Sequence, residues 1–199
     1  MTTLKLFRPF VAAAVLFAAV PVLPSPSVAQ GPVAMAFAER MVVPVDVTTI
    51  EVVNGDTSPT TYPYVGSRAP IPYDQAARAW AAQRFNATGN SVNSMRITLK
   101  RGTITEKLLP ISKGISGWFK KEQNAEYTGA LEVGVEIVGP DGKTLAVADA
   151  KSWASETVRE DATSTDREAA WMSVIKKTFD NMDQELIPRL RQTMVTYVH

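Results

Sequence analysis

The sequence predicts an α+β fold, a two-layer sandwich with one mostly antiparallel β-sheet of about four strands and two helices on one of its faces. Three observations predict it: an alternating hairpin sequence at residues 127–153, a long amphipathic segment at residues 164–194, and a shorter one at residues 74–89. Because only one strand–helix–strand unit is present, both helices are expected on the same face. We predict one domain over residues 41–199, after a flexible lead-in over residues 30–40.

Two segments of contrasting composition come first. Residues 41–53, MVVPVDVTTIEVV, are rich in valine, isoleucine and threonine and predict a first strand. Pro44 has no amide proton to donate, which favours the start or the edge of a sheet. Residues 54–74 are rich in proline and longer than most connections, which indicates a loop that is either functional or mobile.

A helix and a second strand follow. Residues 74–89 predict a helix that ends at Gly89, where glycine suits a helix C-terminus. Its apolar stripe consists of Ala77, Trp80, Ala81 and Phe85. Residues 94–109 alternate and are β-branched, so they predict a strand with a bulge or bend at Gly102.

The hairpin has the clearest pattern in the chain. Apolar residues from Tyr127 to Ile137 alternate with Glu132 and Glu136, which predicts one buried and one wetter face. The segment Pro140–Asp141–Gly142 predicts a turn, because proline presets φ and glycine accepts a positive φ. Residues 145–153 then return as the partner strand.

The C-terminal segment, residues 164–194, predicts a long helix. Thr165 and Glu168 have the spacing of a capping box. Pro188 lies within the segment and is expected to kink or restart the helix. The apolar stripe consists of Met172, Ile175, Phe179, Met182, Leu186 and Leu190.

The N-terminus has the order of a secretory signal peptide. Lys5 and Arg8 precede the apolar residues 9–23, and Ser27–Val28–Ala29 places small residues where a signal peptidase cleaves. The apolar run is shorter than the roughly 20 residues of a membrane span. We therefore predict a cleaved signal over residues 1–29 and a mature protein in the periplasm of a Gram-negative bacterium.

Composition argues against several classes of function. Lys and Arg total 21 and Asp and Glu total 20, so no overall charge recruits nucleic acid. The sequence has no cysteine, and its single histidine is the terminal residue His199. Neither a histidine-activated nucleophile nor a zinc site is predicted from this set. No cofactor, metal site or catalytic residue is expected, and the protein is expected not to be an enzyme.

Acidic residues before and within the C-terminal helix leave one enzymatic alternative open. Paired carboxylates can cleave glycosidic bonds, so a carboxylate-dependent hydrolase is an alternative reading. The acids are Glu156, Glu160, Asp161, Asp166 and Glu168. We interpret them as solvated acids that favour a helix start.

The segment SGWFKKEQNAEY, residues 116–127, carries the candidate contact site. Trp118 and Phe119 are adjacent apolar anchors, and Lys120 and Lys121 form a basic rim, a combination that suits a lipid interface or a partner. The alternative is that both rings belong to the core. The other tryptophans, Trp80, Trp153 and Trp171, are expected to be buried or half-buried.

A family resemblance adds to this reading. The segment NAEYTGALEVGVEIVGPDG, its returning strand, the acidic segment and the C-terminal amphipathic helix resemble the LptE family. Its members are outer-membrane lipoproteins that assist assembly and loading of the lipopolysaccharide translocon. The resemblance covers about residues 94–194 and implies two helices packed on a four-stranded sheet. Members of that family carry a lipidated cysteine after the signal, whereas this sequence has no cysteine.

These observations lead to one expected function and one further alternative. We expect a non-enzymatic periplasmic accessory protein of the cell envelope that binds a protein partner or a lipid, in outer-membrane, lipopolysaccharide or lipid transport assembly. Peripheral contact with a membrane fits this role. The further alternative is a periplasmic carrier of a small ligand that uses the face of the sheet left uncovered by the helices.

Overall fold

The computed structural model describes residues 35–110 and 123–199, which contain six β-strands and two α-helices. The strands are β1 (Val43–Val45), β2 (Thr49–Asn54), β3 (Phe85–Ala87), β4 (Ser94–Leu108), β5 (Gln123–Val138) and β6 (Thr144–Arg159). The helices are α1 (Tyr73–Arg84) and α2 (Ser164–Thr193). The predicted signal peptide, residues 1–29, lies outside the described residues.

Four of the strands form the main sheet, in the order β2-β4-β5-β6. The β4–β5 and β5–β6 pairs are antiparallel, and β2 lies parallel to β4. Strands β1 and β3 form a separate two-stranded parallel sheet. The predicted α+β class, with about four mostly antiparallel strands and two helices, is confirmed.

Both helices pack on the same face of the main sheet, as Gly129 of β5 shows. A side chain at Gly129 would collide with Val174 of α2 and with the Tyr73 hydroxyl group of α1. Tyr73 and Thr178 of α2 are hydrogen-bonded through their hydroxyl groups across 3.2 Å. The glycine therefore stands where the two helices approach the strand together.

The predicted stripe of α2 forms the centre of the core. Ile175, Phe179, Met182, Leu186 and Leu190 are fully buried, whereas Met172 at the edge of the stripe is half-buried. The Phe179 ring lies 5.5 Å from Trp80 of α1 and 5.3 Å from Phe37, measured between ring centroids. One aromatic cluster thus joins both helices and the segment before β1.

A buried carboxylate lies beside this cluster. The Oδ1 atom of Asp183 in α2 accepts hydrogen bonds from Trp80 Nε1 at 2.9 Å and from Arg84 Nε at 3.0 Å, both in α1. The second Arg84 nitrogen, Nη2, contacts Asp183 Oδ2. Asp183 is 2% exposed and Arg84 is 4% exposed. The ion pair therefore fixes α1 against α2 in a site that solvent does not reach.

The first strand and the first helix differ from their predictions. Residues 41–53 form two strands, β1 and β2, rather than one. Helix α1 ends at Arg84 instead of Gly89, because Phe85 adopts an extended backbone (φ −118°, ψ 145°) and begins β3 beside β1. Phe85 is still buried, 5.4 Å from the Trp80 ring. Phe85 therefore fits the apolar spacing of a helix, although its backbone belongs to a strand.

The bulge of β4 and the capping box of α2 lie at residues other than those predicted. The bulge in β4 falls between Leu99 and Arg101, not at Gly102. The capping box of α2 consists of Thr163 and Asp166 rather than Thr165 and Glu168. The helix begins two residues earlier than that box required, because Thr163 has the extended backbone of an N-cap and Asp166 supplies the reciprocal carboxylate.

The turn predicted at residues 140–142 is confirmed, whereas Pro188 does not restart the C-terminal helix. The 140–142 turn joins β5 to β6, and Gly142 has a φ of 79°, the left-handed conformation that glycine accepts without strain. Helix α2 continues through Pro188 to Thr193 without restarting. Met35 and Phe37 are buried in the core, and Gln83 of α1 donates a hydrogen bond to the Met35 carbonyl group. Two side chains of the predicted lead-in are therefore part of the core.

We predict that Phe179→Ala lowers the free energy of unfolding by about 3–5 kcal/mol, because it empties a fully buried site that contacts both helices. Urea denaturation of the purified protein measures this loss. Val92→Ala is the matched control, since Val92 is 75% exposed and its truncation should change stability by no more than about 0.5 kcal/mol. Equal effects of the two substitutions would contradict the assigned helix face.

Candidate functional site

Neither helix covers the opposite face of the main sheet, which we call the uncovered face. Its side chains alternate with buried ones along each strand, as Arg96 does between the buried Met95 and Ile97. The side chains that face outwards here include Thr98, Lys100, Glu132, Asp149, Lys151 and Trp153. This face is therefore mainly polar and charged.

Ion pairs link different strands of the uncovered face, either neighbouring ones or, over β5, the strands β4 and β6. Arg96 of β4 lies 3.7 Å from Glu51 of β2 and 3.9 Å from Glu136 of β5. Lys100 of β4 donates a hydrogen bond to Asp149 of β6 at 2.5 Å, and this bond raises the pKa of the Lys100 ammonium group. Each exposed pair adds little stability. Together the pairs keep a broad sheet surface compatible with water.

Trp153 is a large apolar side chain on this mainly polar face. It is 71% exposed, which corrects the expectation that it is buried or half-buried. The reason is the alternation of β6: Ser152 points towards α2 and donates to the Thr178 carbonyl group at 2.7 Å, so the next side chain points the other way. The Trp153 backbone carbonyl accepts a hydrogen bond from Asn181 of α2 at 2.8 Å.

The proline-rich segment between β2 and α1 is an ordered loop that extends the main sheet. Strand β2 ends where Asn54 pairs with Leu99, so the rest of β4 lacks that neighbour. The loop takes its place: Val65 donates to the Ile104 carbonyl group, and Glu106 donates to the Pro63 carbonyl group, each at 2.8 Å. The loop thereby covers an edge that would otherwise expose unpaired backbone groups.

A groove of about 350 Å³ lies where this loop meets the uncovered face. We call it the sheet groove. Its strand residues include Arg101, Thr103, Thr105 and Thr128, and its loop residues include Thr57 and Tyr64. Hydroxyl groups and a guanidinium group thus dominate its lining, which suits a polar ligand with several hydrogen-bond acceptors.

Among the carboxylates singled out as an enzymatic alternative, Glu156 and Asp166 have structural partners. Glu156 accepts hydrogen bonds from Lys177 and from Ser173, which hold the pKa of its carboxyl group below the ordinary value. The backbone and side chain of Thr163 lower the pKa of Asp166 in the helix cap. Within the described residues, no three acidic or histidine side chains are grouped as a metal site would require.

His199 is docked rather than placed in a cleft. Its Nε2 atom lies 3.0 Å from Asp46, and the preceding Val198 forms a β-bridge with Val45. Hydrogen bonds from Thr88 and His199 hold the pKa of Asp46 below its ordinary value. The C-terminal residues therefore attach to the segment that joins β1 and β2.

The predicted contact residues Trp118, Phe119, Lys120 and Lys121 lie outside the described residues, so this site stays a prediction. Sequence reasoning missed the sheet groove. A signal for it exists in the adjacent Lys100 and Arg101, since two consecutive basic residues in an alternating strand either bury one charge or mark a bulge.

Comparison by sequence gives no assignment: no protein-family model matches this chain, and no curated protein matches it. Within residues 35–110 and 123–199, neither helix has the length and hydrophobicity that a membrane span requires.

Comparison by structure finds bacterial lipoproteins. A minor lipoprotein from Acinetobacter baumannii is 13% identical, with a TM-score of 0.36 over 75% of this chain and 92% of that chain. The rare lipoprotein B from Shewanella oneidensis is 15% identical, with a TM-score of 0.32 over 73% of this chain and 94% of that one. Lipoprotein GNA1162 from Neisseria meningitidis is 12% identical, with a TM-score of 0.24 over 67% and 99% of the two chains. TM-scores of this size assign neither a family nor a function to this chain.

Proposed function

We propose that this chain is a non-enzymatic accessory protein of the bacterial envelope that binds a protein partner or a lipid through the uncovered face of its sheet. The observation that carries the proposal is the one-sided packing of the helices. They bury one face of the main sheet, while the other presents charged groups, hydroxyl groups and the 71% exposed Trp153. A large exposed aromatic residue on an otherwise polar surface is typical of a recognition site.

The proposed location is the periplasm. The support is the order of a basic, an apolar and a small-residue segment within residues 1–29. The absence of cysteine means that this chain offers no thiol for a lipid anchor. Any attachment to a membrane is therefore proposed to occur through surface contact or through a partner, in outer-membrane or lipid transport assembly.

The proposed second contact is the segment with Trp118 and Phe119 as apolar anchors and Lys120 and Lys121 as a basic rim. Its support is compositional: adjacent aromatic rings beside two lysines suit the boundary between water and a lipid layer. In the sequence, these four residues lie between β4 and β5. Both of these strands belong to the uncovered face.

A second candidate function is the small-ligand carrier, and the sheet groove is the specific observation that favours it. A volume of about 350 Å³ lies within the range of small-molecule sites, and the groove uses the uncovered face as that function requires. The two candidate functions differ in what occupies this face, a macromolecular surface or a small molecule.

We predict that the exported protein begins near Gln30 and is released from cells as a soluble or peripheral protein. Intact-mass spectrometry of protein recovered by osmotic shock measures the terminus. A mass that includes Met1, or a mass with a lipid adduct, would contradict the proposed location.

We predict that the double substitution Trp118→Ala and Phe119→Ala weakens co-sedimentation with envelope membranes several-fold and leaves the melting temperature nearly unchanged. The control removes two exposed apolar side chains elsewhere, Val92→Ala and Val195→Ala, which are 75% and 68% exposed. Unfolding of the aromatic double variant would show that the rings belong to the core. Unchanged binding by a folded variant would contradict the contact.

A further inference from the structure

The bulge in β4 places two successive basic side chains on the same face. In a regular strand Lys100 and Arg101 would point to opposite sides, and one charge would enter the core. The register shift between Leu99 and Arg101 instead pairs Arg101 with Glu132, whose side chain faces outwards. Both cations therefore line the sheet groove, and Gly102 takes the inward position against the Tyr73 ring.

Lys100 has an ion-pair partner, whereas Arg101 has none among the described residues. Lys100 is neutralised by Asp149 at 2.5 Å, and Glu132 is held by Lys151 at 3.2 Å. For Arg101, residues 35–110 and 123–199 provide no ion pair and no side-chain hydrogen bond. As far as the described residues go, the exposed Arg101 guanidinium group thus keeps its five donor N–H groups available at the groove.

Three hydroxyl groups beside Arg101 are also available. Thr103 is 7% exposed and lines the groove, yet its hydroxyl group has no hydrogen-bond partner in the part of the chain that the structure describes. The same holds, over those residues, for the hydroxyl groups of Thr57 and Tyr64 on the loop. Among the described residues, the buried side-chain nitrogen or oxygen atom without a partner is Trp171 Nε1, so the Thr103 hydroxyl group is reached by solvent in the groove and is free to meet a ligand.

Asp56, the acid that lines the groove, already accepts three hydrogen bonds from the loop and from β4. Asp56 Oδ1 accepts from the backbone and hydroxyl groups of Ser58, and Oδ2 accepts from the Gly102 amide at 3.0 Å. Oδ1 therefore holds the turn of the loop itself, and Oδ2 ties the loop to β4. The groups that can meet a ligand include one guanidinium group, which only donates, and hydroxyl groups, which can donate to an acceptor on the ligand.

We infer that the sheet groove binds a phosphate group, with Arg101 as the charged donor and Thr57, Tyr64 and Thr103 as hydroxyl donors. A guanidinium group matches phosphate oxygens in charge and in geometry. Donors on a strand and on a loop approach from different directions, which suits a tetrahedral group better than a planar one. The phosphate belongs either to a soluble monoester or to a lipid headgroup. This inference deepens the carrier function of the groove and does not depend on docking to a macromolecule.

Isothermal titration of the purified protein with glucose 1-phosphate tests the inference, with glucose as the uncharged match. Vesicles of phosphatidylcholine, with and without phosphatidic acid, test the lipid source in a sedimentation assay. We expect saturable binding of glucose 1-phosphate, or of phosphatidic acid vesicles only, and no binding of glucose. The first result assigns a soluble phosphate monoester, and the second assigns a lipid headgroup.

Substitutions test whether this binding takes place in the sheet groove. Arg101→Gln should weaken it at least tenfold, and Thr103→Val, which keeps the shape and removes the hydroxyl group, should weaken it several-fold. Arg96→Gln is the matched control, because Arg96 lies on the same strand and face but is already paired with two glutamates. Circular dichroism verifies that each variant is folded.

Absence of binding by the wild-type protein to both phosphate probes would overturn the inference, as would equal binding by the folded Arg101→Gln and Arg96→Gln variants. A different measurement tests the proposed envelope function: co-sedimentation of the Trp118→Ala and Phe119→Ala double variant with envelope membranes. That variant leaves every donor of the groove in place, so the two proposals can fail independently.

Discussion

The structure depends on the contact between α1 and α2 that is centred on the Asp183 carboxylate. Asp183 accepts from Trp80 and Arg84 in a site that excludes water, next to the Phe179 cluster. A buried ion pair adds little net stability, but removal of one member leaves an uncompensated charge that costs about 3–5 kcal/mol. An arrangement with the helices on opposite faces of the sheet would break this contact. The pair therefore favours one side for both helices, so neither of them covers the other side.

Because both helices pack on one side, the uncovered face of the sheet must be compatible with water. Its broad surface is kept polar by cross-strand pairs, and Gly134 in β5 gives the Lys100 side chain room to reach Asp149. The outer edge of β6 is also shielded, because Asn181 and Arg189 of α2 donate to its carbonyl groups. Such shielding discourages edge-to-edge association of strands. The face itself, with the sheet groove and Trp153, stays accessible to a ligand or a partner.

The sequence predicted those parts of the fold that arise from periodicity and turn chemistry. The hairpin and the α2 stripe follow from alternation, helical spacing and Gly142. The sequence did not predict the end of α1, because Phe85 packs on Trp80 equally well from a strand. The sheet groove was missed for a similar reason. It requires the bulge at Lys100, which only the adjacent Lys100 and Arg101 indicate, and a loop that pairs with β4 only in the folded chain, which leaves no periodic signal.

Site-specific cross-linking tests most directly whether the uncovered face is the binding surface. The chain has no cysteine, so single thiols introduced by Ser155→Cys and Val147→Cys on this face, and by Gln192→Cys on the exposed side of α2, are the only sites for a photoactivatable maleimide, and Trp153 stays in place. In intact envelopes, cross-linked products from the two sheet positions and none from Gln192→Cys are predicted. Products from Gln192→Cys alone would contradict the account, because they would place the partner on the helical layer.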